Sequence, residues 1–153
     1  LELSSGHRIL HFATHGSFAD NPLDTSLLLA SGRLTVGRIA GLDGLRGKVA
    51  MVFLSACQSA TETSGGDPEA MSLAEGFAMA GVPTLIGSLW DVDDRATRFL
   101  VEAFYQGLAA GGRDALGALR DAQLANLEAA IDDHRLYADP RFWSAFQLIG
   151  DFR

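Results

Sequence analysis

The chain has 153 residues, 48% of them hydrophobic and 20% charged, with a formal net charge of -7. That length is one ordinary domain, with enough apolar material for a core that needs no disulfide or structural metal as a staple. The acidic balance argues against nucleic acid, which would favour a basic patch, and against an anionic membrane surface. The single cysteine, Cys57, leaves no internal disulfide and fits a reducing compartment such as the cytoplasm.

In chain order, Arg8 to Thr14 is an apolar run that enters a His-Gly step and reads as a short buried strand. Asp20-Asn21-Pro22 is turn chemistry. Ser26 to Ala30 is a second strand, with a turn at Ser31-Gly32. Thr35 then caps a short helix that stops at Gly41. Lys48 to Ser55 is a continuous β-branched and aromatic run, the pattern of a strand covered on both faces.

Past Cys57, the small polar residues Ser59 to Gly66 read as a mobile loop. Asp67-Pro68-Glu69 has the order of an N-cap, a first-turn proline and a first-turn acid, and the helix it opens ends at Gly81. Pro83 to Trp90 is a further buried strand. A long helix opens at Asp91 to Asp94 and ends at Gly111-Gly112, and an amphipathic helix covers Arg113 to Ile131. A helical turn at Pro140 precedes a last strand from Phe146 to Gly150. The stretch from Gly76 to Trp90 is free of charge but too short, at about 20 residues required, to cross a bilayer. No basic and apolar leader precedes the first strand, so no signal peptide is expected.

Strands alternating with helices indicate an α/β fold with a mostly parallel sheet. Reactive groups in such folds gather beyond the carboxyl ends of the strands. Two strand ends carry them here: Thr14-His15-Gly16 and Ser55-Ala56-Cys57. A thiolate is a strong nucleophile, and an imidazole can generate it and then protonate a leaving amine. The backbone N–H groups of Gly16 and Cys57 are candidates for an oxyanion hole. Cysteine is among the most buried residue types, so a lone Cys57 reads more readily as core packing than as a nucleophile. It is the pairing with His15 at a second strand end that favours chemistry. His7, His11 and His15 are evenly spaced, but on a strand among apolar neighbours they make no zinc face, and His11 reads as a core histidine. Neither a metal nor a cofactor is expected.

Four segments together carry a family resemblance: His11 to Gly16, Phe53 to Ala60, Leu73 to Asp94 and Phe142 to Asp151. In this order they resemble a CHAT domain, a caspase-like family found behind tetratricopeptide repeats in bacterial proteins. They are also similar to separase, through the His-Gly step, the strand-end Cys and Leu89-Trp90-Asp91-Val92-Asp93-Asp94. The resemblance implies one catalytic domain over residues 1–153, with a caspase/gingipain-like three-layer α-β-α sandwich lacking its N-terminal portion. It implies a Cys-His dyad endopeptidase, His15 and Cys57, that acts on a protein substrate and is regulated by a tetratricopeptide-type repeat region in the same or a partner protein. The caspase Gln-Ala-Cys is replaced here by Ser55-Ala56-Cys57.

By the same resemblance the strand ending at Ser88 lines the substrate pocket. Asp91 or Asp93 can then pair with a basic residue of the substrate while Trp90 stacks on it. Acids at that position also serve as helix caps. The competing reading is a catalytically silent signalling or interaction module on the same fold. Phe99, Phe104, Phe142, Trp143 and Phe146 are expected in the core.

Overall fold

The computed structural model describes residues 8–56, 73–131, 134–135 and 137–151. In chain order the elements begin with β1 (Ile9–Ala13), β2 (Gly16–Ser17), β3 (Ser26–Leu29), β4 (Gly32–Thr35) and α1 (Val36–Ala40). They continue with β5 (Met51–Ser55), α2 (Leu73–Met79), β6 (Thr84–Ser88), α3 (Asp94–Ala109) and α4 (Ala115–Glu128). The last are β7 (Ala130–Ile131), β8 (His134–Arg135), α5 (Pro140–Trp143) and β9 (Phe146–Gly150). The Asp67 helix start and the Ser59 to Gly66 loop expected from the sequence lie outside the described residues.

A four-stranded sheet in the order β1-β5-β6-β9 forms the middle layer. Its first three strands are parallel and β9 runs antiparallel to β6. Strand pleating explains the layers on either side, because successive side chains point to opposite faces. From β5, Val52 and Leu54 join Leu85, Ile39, Leu73 and Phe77, which places α1 and α2 on one face. Met51 and Phe53 join Ile86, Leu100, Phe104 and Leu119, which places α3 and α4 on the other. β5 and β6 are covered on both faces, which is why their sequences are continuously apolar.

Local chemistry sets most boundaries. The Thr35 hydroxyl accepts from the Arg38 N–H and starts α1, as its position predicts. Asp114 does the same for α4 through the Gly117 N–H at 2.7 Å, and α4 ends at Glu128, short of the Ile131 expected.

The chain between the first and third expected elements differs from the sequence reading. Instead of a turn that leads straight into a helix cap, Gly32 to Thr35 form β4, which pairs back on β3 with Leu28 opposite Arg33 and Leu29 opposite Gly32. Gly32 sits at φ 126°, a conformation that favours glycine at the hairpin. β2 completes this second, antiparallel sheet. Two- and four-residue strands are too short to show a period in the sequence.

The aromatic expectations divide. Phe104 and Phe146 are buried, but Phe99 is 39% exposed. It lies on the outer side of α3 against Tyr137, with ring centroids 6.4 Å apart. Phe142 and Trp143 are half-buried on α5.

Candidate active site

A cavity of about 450 Å3 opens beyond the carboxyl ends of β1, β5 and β6, on the face covered by α3. Thr14 and His15 line it just past β1, and Ser55 and Ala56 line it at the end of β5. Ser88 at the end of β6 and Phe146 at the start of β9 close its base. Trp90 and Val92 form a wall ahead of α3, while Asp94, Thr97, Arg98 and Val101 contribute the first two turns of that helix.

The parallel pairing explains the convergence. Ala13 is opposite Ser55, so the residues that follow each strand leave the sheet at the same level. His15 and Ala56 therefore reach one cavity although they are far apart in sequence. The Ser88 hydroxyl donates to the Ala56 carbonyl at 2.7 Å, which ties the end of β6 to the residue that precedes Cys57. Cys57 itself lies outside the described residues.

Other expected site residues are distributed as follows. Gly16 is in β2, opposite Leu27, and the adjacent His15 carbonyl accepts from the Leu28 N–H at 3.0 Å. Trp90 lines the cavity, and its indole N–H donates to the Arg141 carbonyl at 3.0 Å, which fixes the ring. Asp93 is the N-cap of α3, its Oδ1 accepting from the Arg95 and Ala96 N–H groups at 3.0 and 3.1 Å. Asp91 and Asp93 line a second recess of about 370 Å3 together with Arg141 and Phe142. Among the described residues, the carboxylate in the wall of the main cavity is Asp94. The cation there, Arg98, is held by Glu102 one turn along the helix at 2.7 Å, an exposed pair. The neighbouring carboxylate raises the Arg98 pKa above its ordinary value.

The sequence reading missed several side chains of the cavity, Asp94, Arg98 and His11 among them. His11, expected in the core, lines the wall instead. Its Nε2 is 3.3 Å from the Ser55 hydroxyl and its Nδ1 is 3.1 Å from the Tyr105 hydroxyl. The ring stacks on Phe53 with centroids 4.9 Å apart. Partial burial lowers its pKa, and partial burial raises that of Tyr105 to about 12. Part of the signal was present in the spacing: residues 11 and 13 fall on one side of β1, and both line the cavity.

Among the described residues no cluster of His, Cys, Asp and Glu has the arrangement to hold a metal ion, and no helix is long and apolar enough to cross a membrane.

Comparison with known proteins places these features in a family frame. The family described as CHAT domain matches residues 1–151. A separin from Emericella nidulans is 29% identical over 131 residues, covering 80% of this chain and 6% of the separin. Tetratricopeptide repeat protein 28 of Mus musculus is 29% identical over 134 residues, covering 88% of this chain and 5% of that protein. A Mus musculus separin is 36% identical over 63 residues, covering 41% of this chain and 3% of the separin. The chain thus spans a small fraction of the length of each of these relatives. A solved structure titled "Structure of Protease" superposes with a TM-score of 0.63 at 16% identity, covering 96% of this chain and 35% of the other, a likeness of fold.

Proposed function

The chain belongs to the CHAT domain family, and on that premise we propose that it is a cysteine endopeptidase in which Cys57 is the nucleophile and His15 its proton-transfer partner. The observation that carries this reading is the convergence of His15 and Ala56, the residue before Cys57, on one cavity at the strand ends. A fold shared with a solved protease supports it, as does the caspase/gingipain-like layering that the family resemblance implies.

The chemistry follows from the two groups. His15 takes the thiol proton, and the thiolate adds to the scissile carbonyl carbon. N–H groups of Gly16 and Cys57 hold the resulting oxyanion. The C–N bond then breaks as the imidazolium protonates the departing amine, leaving a thioester. Water, deprotonated by His15, hydrolyses the thioester and restores the thiol. The lone cysteine suits a reducing compartment, and we place the protein in the cytoplasm.

The cavity receives the substrate side chain that precedes the scissile bond. Trp90 in its wall offers an aromatic face to a cation. The acids of the Asp91 to Asp94 segment favour a basic residue, with Asp91 and Asp93 as specificity residues and Asp94 closest to the cavity proper. The match to a tetratricopeptide repeat protein supports regulation by such a repeat region in the same or a partner protein.

The test compares wild type with Cys57→Ala and His15→Ala on a proteome-derived peptide mixture. Wild type is expected to cleave, preferentially after Arg or Lys, and each variant to lose about 100-fold or more. Cleavage retained in either variant overturns the dyad. Absence of cleavage in all three favours the silent interaction module.

A further inference from the structure

β1 sends its side chains alternately to the two faces of the sheet, and His11 faces the side that holds the cavity. Three groups from three elements meet at this ring: Ser55 of β5 at 3.3 Å, Tyr105 of α3 at 3.1 Å, and Phe53 of β5 in stacking contact. The Tyr105 phenol keeps its proton, because burial raises its pKa to about 12. Its hydroxyl lies 3.1 Å from Nδ1 of His11, a contact in which either group donates according to the imidazole tautomer. Nε2 lies 3.3 Å from the Ser55 hydroxyl, so the neutral ring has a hydrogen-bonding partner at each nitrogen in either tautomer. With the ring neutral, this stretch of wall is uncharged and hydrogen-bonding.

The other charged or titratable groups of the wall are few. β1 leads to His15, and α3 supplies Asp94 and Arg98, which pairs with Glu102. β5 and β6 supply only the hydroxyls of Ser55 and Ser88 among the described residues. Among the described residues, counting Glu102 with the Arg98 it pairs, the carboxylates Asp94 and Glu102 outnumber the one arginine, so the balance is acidic for as long as the histidines are neutral. One proton on His11 cancels that balance from inside the cavity.

We infer that His11 is a specificity-determining residue of this cavity, which admits a cationic side chain while its ring is neutral and rejects it once the ring is protonated. The inference rests on the proposal that the cavity takes a substrate side chain, and it adds the group that makes the choice depend on pH. Burial lowers the His11 pKa from 6.5, so the ring is neutral near pH 7 and the change falls on the acid side. A peptidase built this way would favour basic residues at neutral pH and lose that preference on mild acidification.

The experiment reads binding, so that it stands whether or not the chain cleaves. The background is Cys57→Ala with His15→Gln, which removes the chemistry and the other histidine of the cavity. The ligands are two fluorescein-labelled tetrapeptide amides that differ only at the last residue, lysine or its uncharged counterpart norleucine. Fluorescence anisotropy gives the ratio of their Kd values from about pH 7.5 to about pH 5, across the histidine range. The preference for lysine is expected to fall about tenfold, the order of effect of one added like charge in a partly screened cavity.

Adding His11→Gln, or His11→Asn as a second variant, should hold the ratio at its neutral value throughout, with thermal unfolding used to confirm that each variant is folded. A flat ratio in the histidine-containing protein overturns the inference. So does an unchanged pH step in both His11 variants, or failure of both peptides to bind at any pH. Failure of the endopeptidase reading is seen separately, in the cleavage experiment with wild type.

Discussion

The Ser88 hydroxyl donates to the carbonyl of Ala56 across 2.7 Å, and both residues are buried. This bond joins the end of β6 to the chain just ahead of the proposed nucleophile. Ser88→Ala leaves a buried carbonyl short of this partner, a loss of about 1–3 kcal/mol. It also loosens the approach to Cys57, and small displacements of a reacting group are costly in rate. The expected result is a lower denaturation midpoint and a kcat reduced about tenfold, with KM much less changed. Equal stability and equal kcat would remove this bond from both roles.

Gly150 closes β9 at φ 97°, opposite Thr84 of β6. A Cβ added there would collide with the Pro83 carbonyl oxygen. The same oxygen accepts from the Asp151 N–H at 2.7 Å, so the strand cannot retreat without losing that bond. Gly150→Ala is therefore expected to destabilise the protein by about 2 kcal/mol or more through strain and lost pairing. Urea denaturation followed by circular dichroism measures it. Gly44→Ala is a suitable control, since no atom lies within 4 Å of the added carbon.

Tyr105 titrates late. Its pKa rises from 10.0 to about 12 because burial disfavours the phenolate. In the unfolded chain the phenol ionises near its ordinary value, so between about pH 10 and about pH 12 the folded state binds more protons than the unfolded state. Stability contributed by the protonated phenol is thus complete below the lower value and is lost as pH rises through this window. Tyr105→Phe should flatten that part of the profile. The chain has two tyrosines, so in Tyr137→Phe the ultraviolet phenolate band reports Tyr105 alone. Its midpoint should fall near 12. A midpoint at the ordinary value would mean that Tyr105 is open to water and does not orient His11.

The residues of the cavity were legible in the sequence to different depths. His15 could be read because a His-Gly step follows an apolar run, and Trp90 because it ends another. Asp93 carries two properties that sequence cannot separate, an acid near a site and an acid before a helix. The structure shows it in the second role, accepting from two N–H groups of α3. Asp94, one residue on, is the acid that lines the cavity. On a helix start, neighbouring residues differ in direction by roughly 100°, and only packed coordinates say which one faces the site.

His11 shows the same limit from the other side. A histidine among Leu10, Phe12 and Ala13 is reasonably read as a core residue. It lines a cavity because β1 lies at the edge of the four-stranded sheet and α3 covers it only partly.

By itself the sequence determined the layered α/β class, the central strands β5 and β6, the cap of α1, and the family. These follow from local periodicity, capping chemistry and the order of short motifs, each of which is written in consecutive residues. Tertiary structure alone decided that β9 runs antiparallel, that β2 to β4 form a separate sheet, and that His11, His15, Asp94 and Trp90 share one cavity. Those are relations between residues distant in the chain. They depend on which strands pair and at what register, and a one-residue shift in the register of β1 would turn His11 to the opposite face.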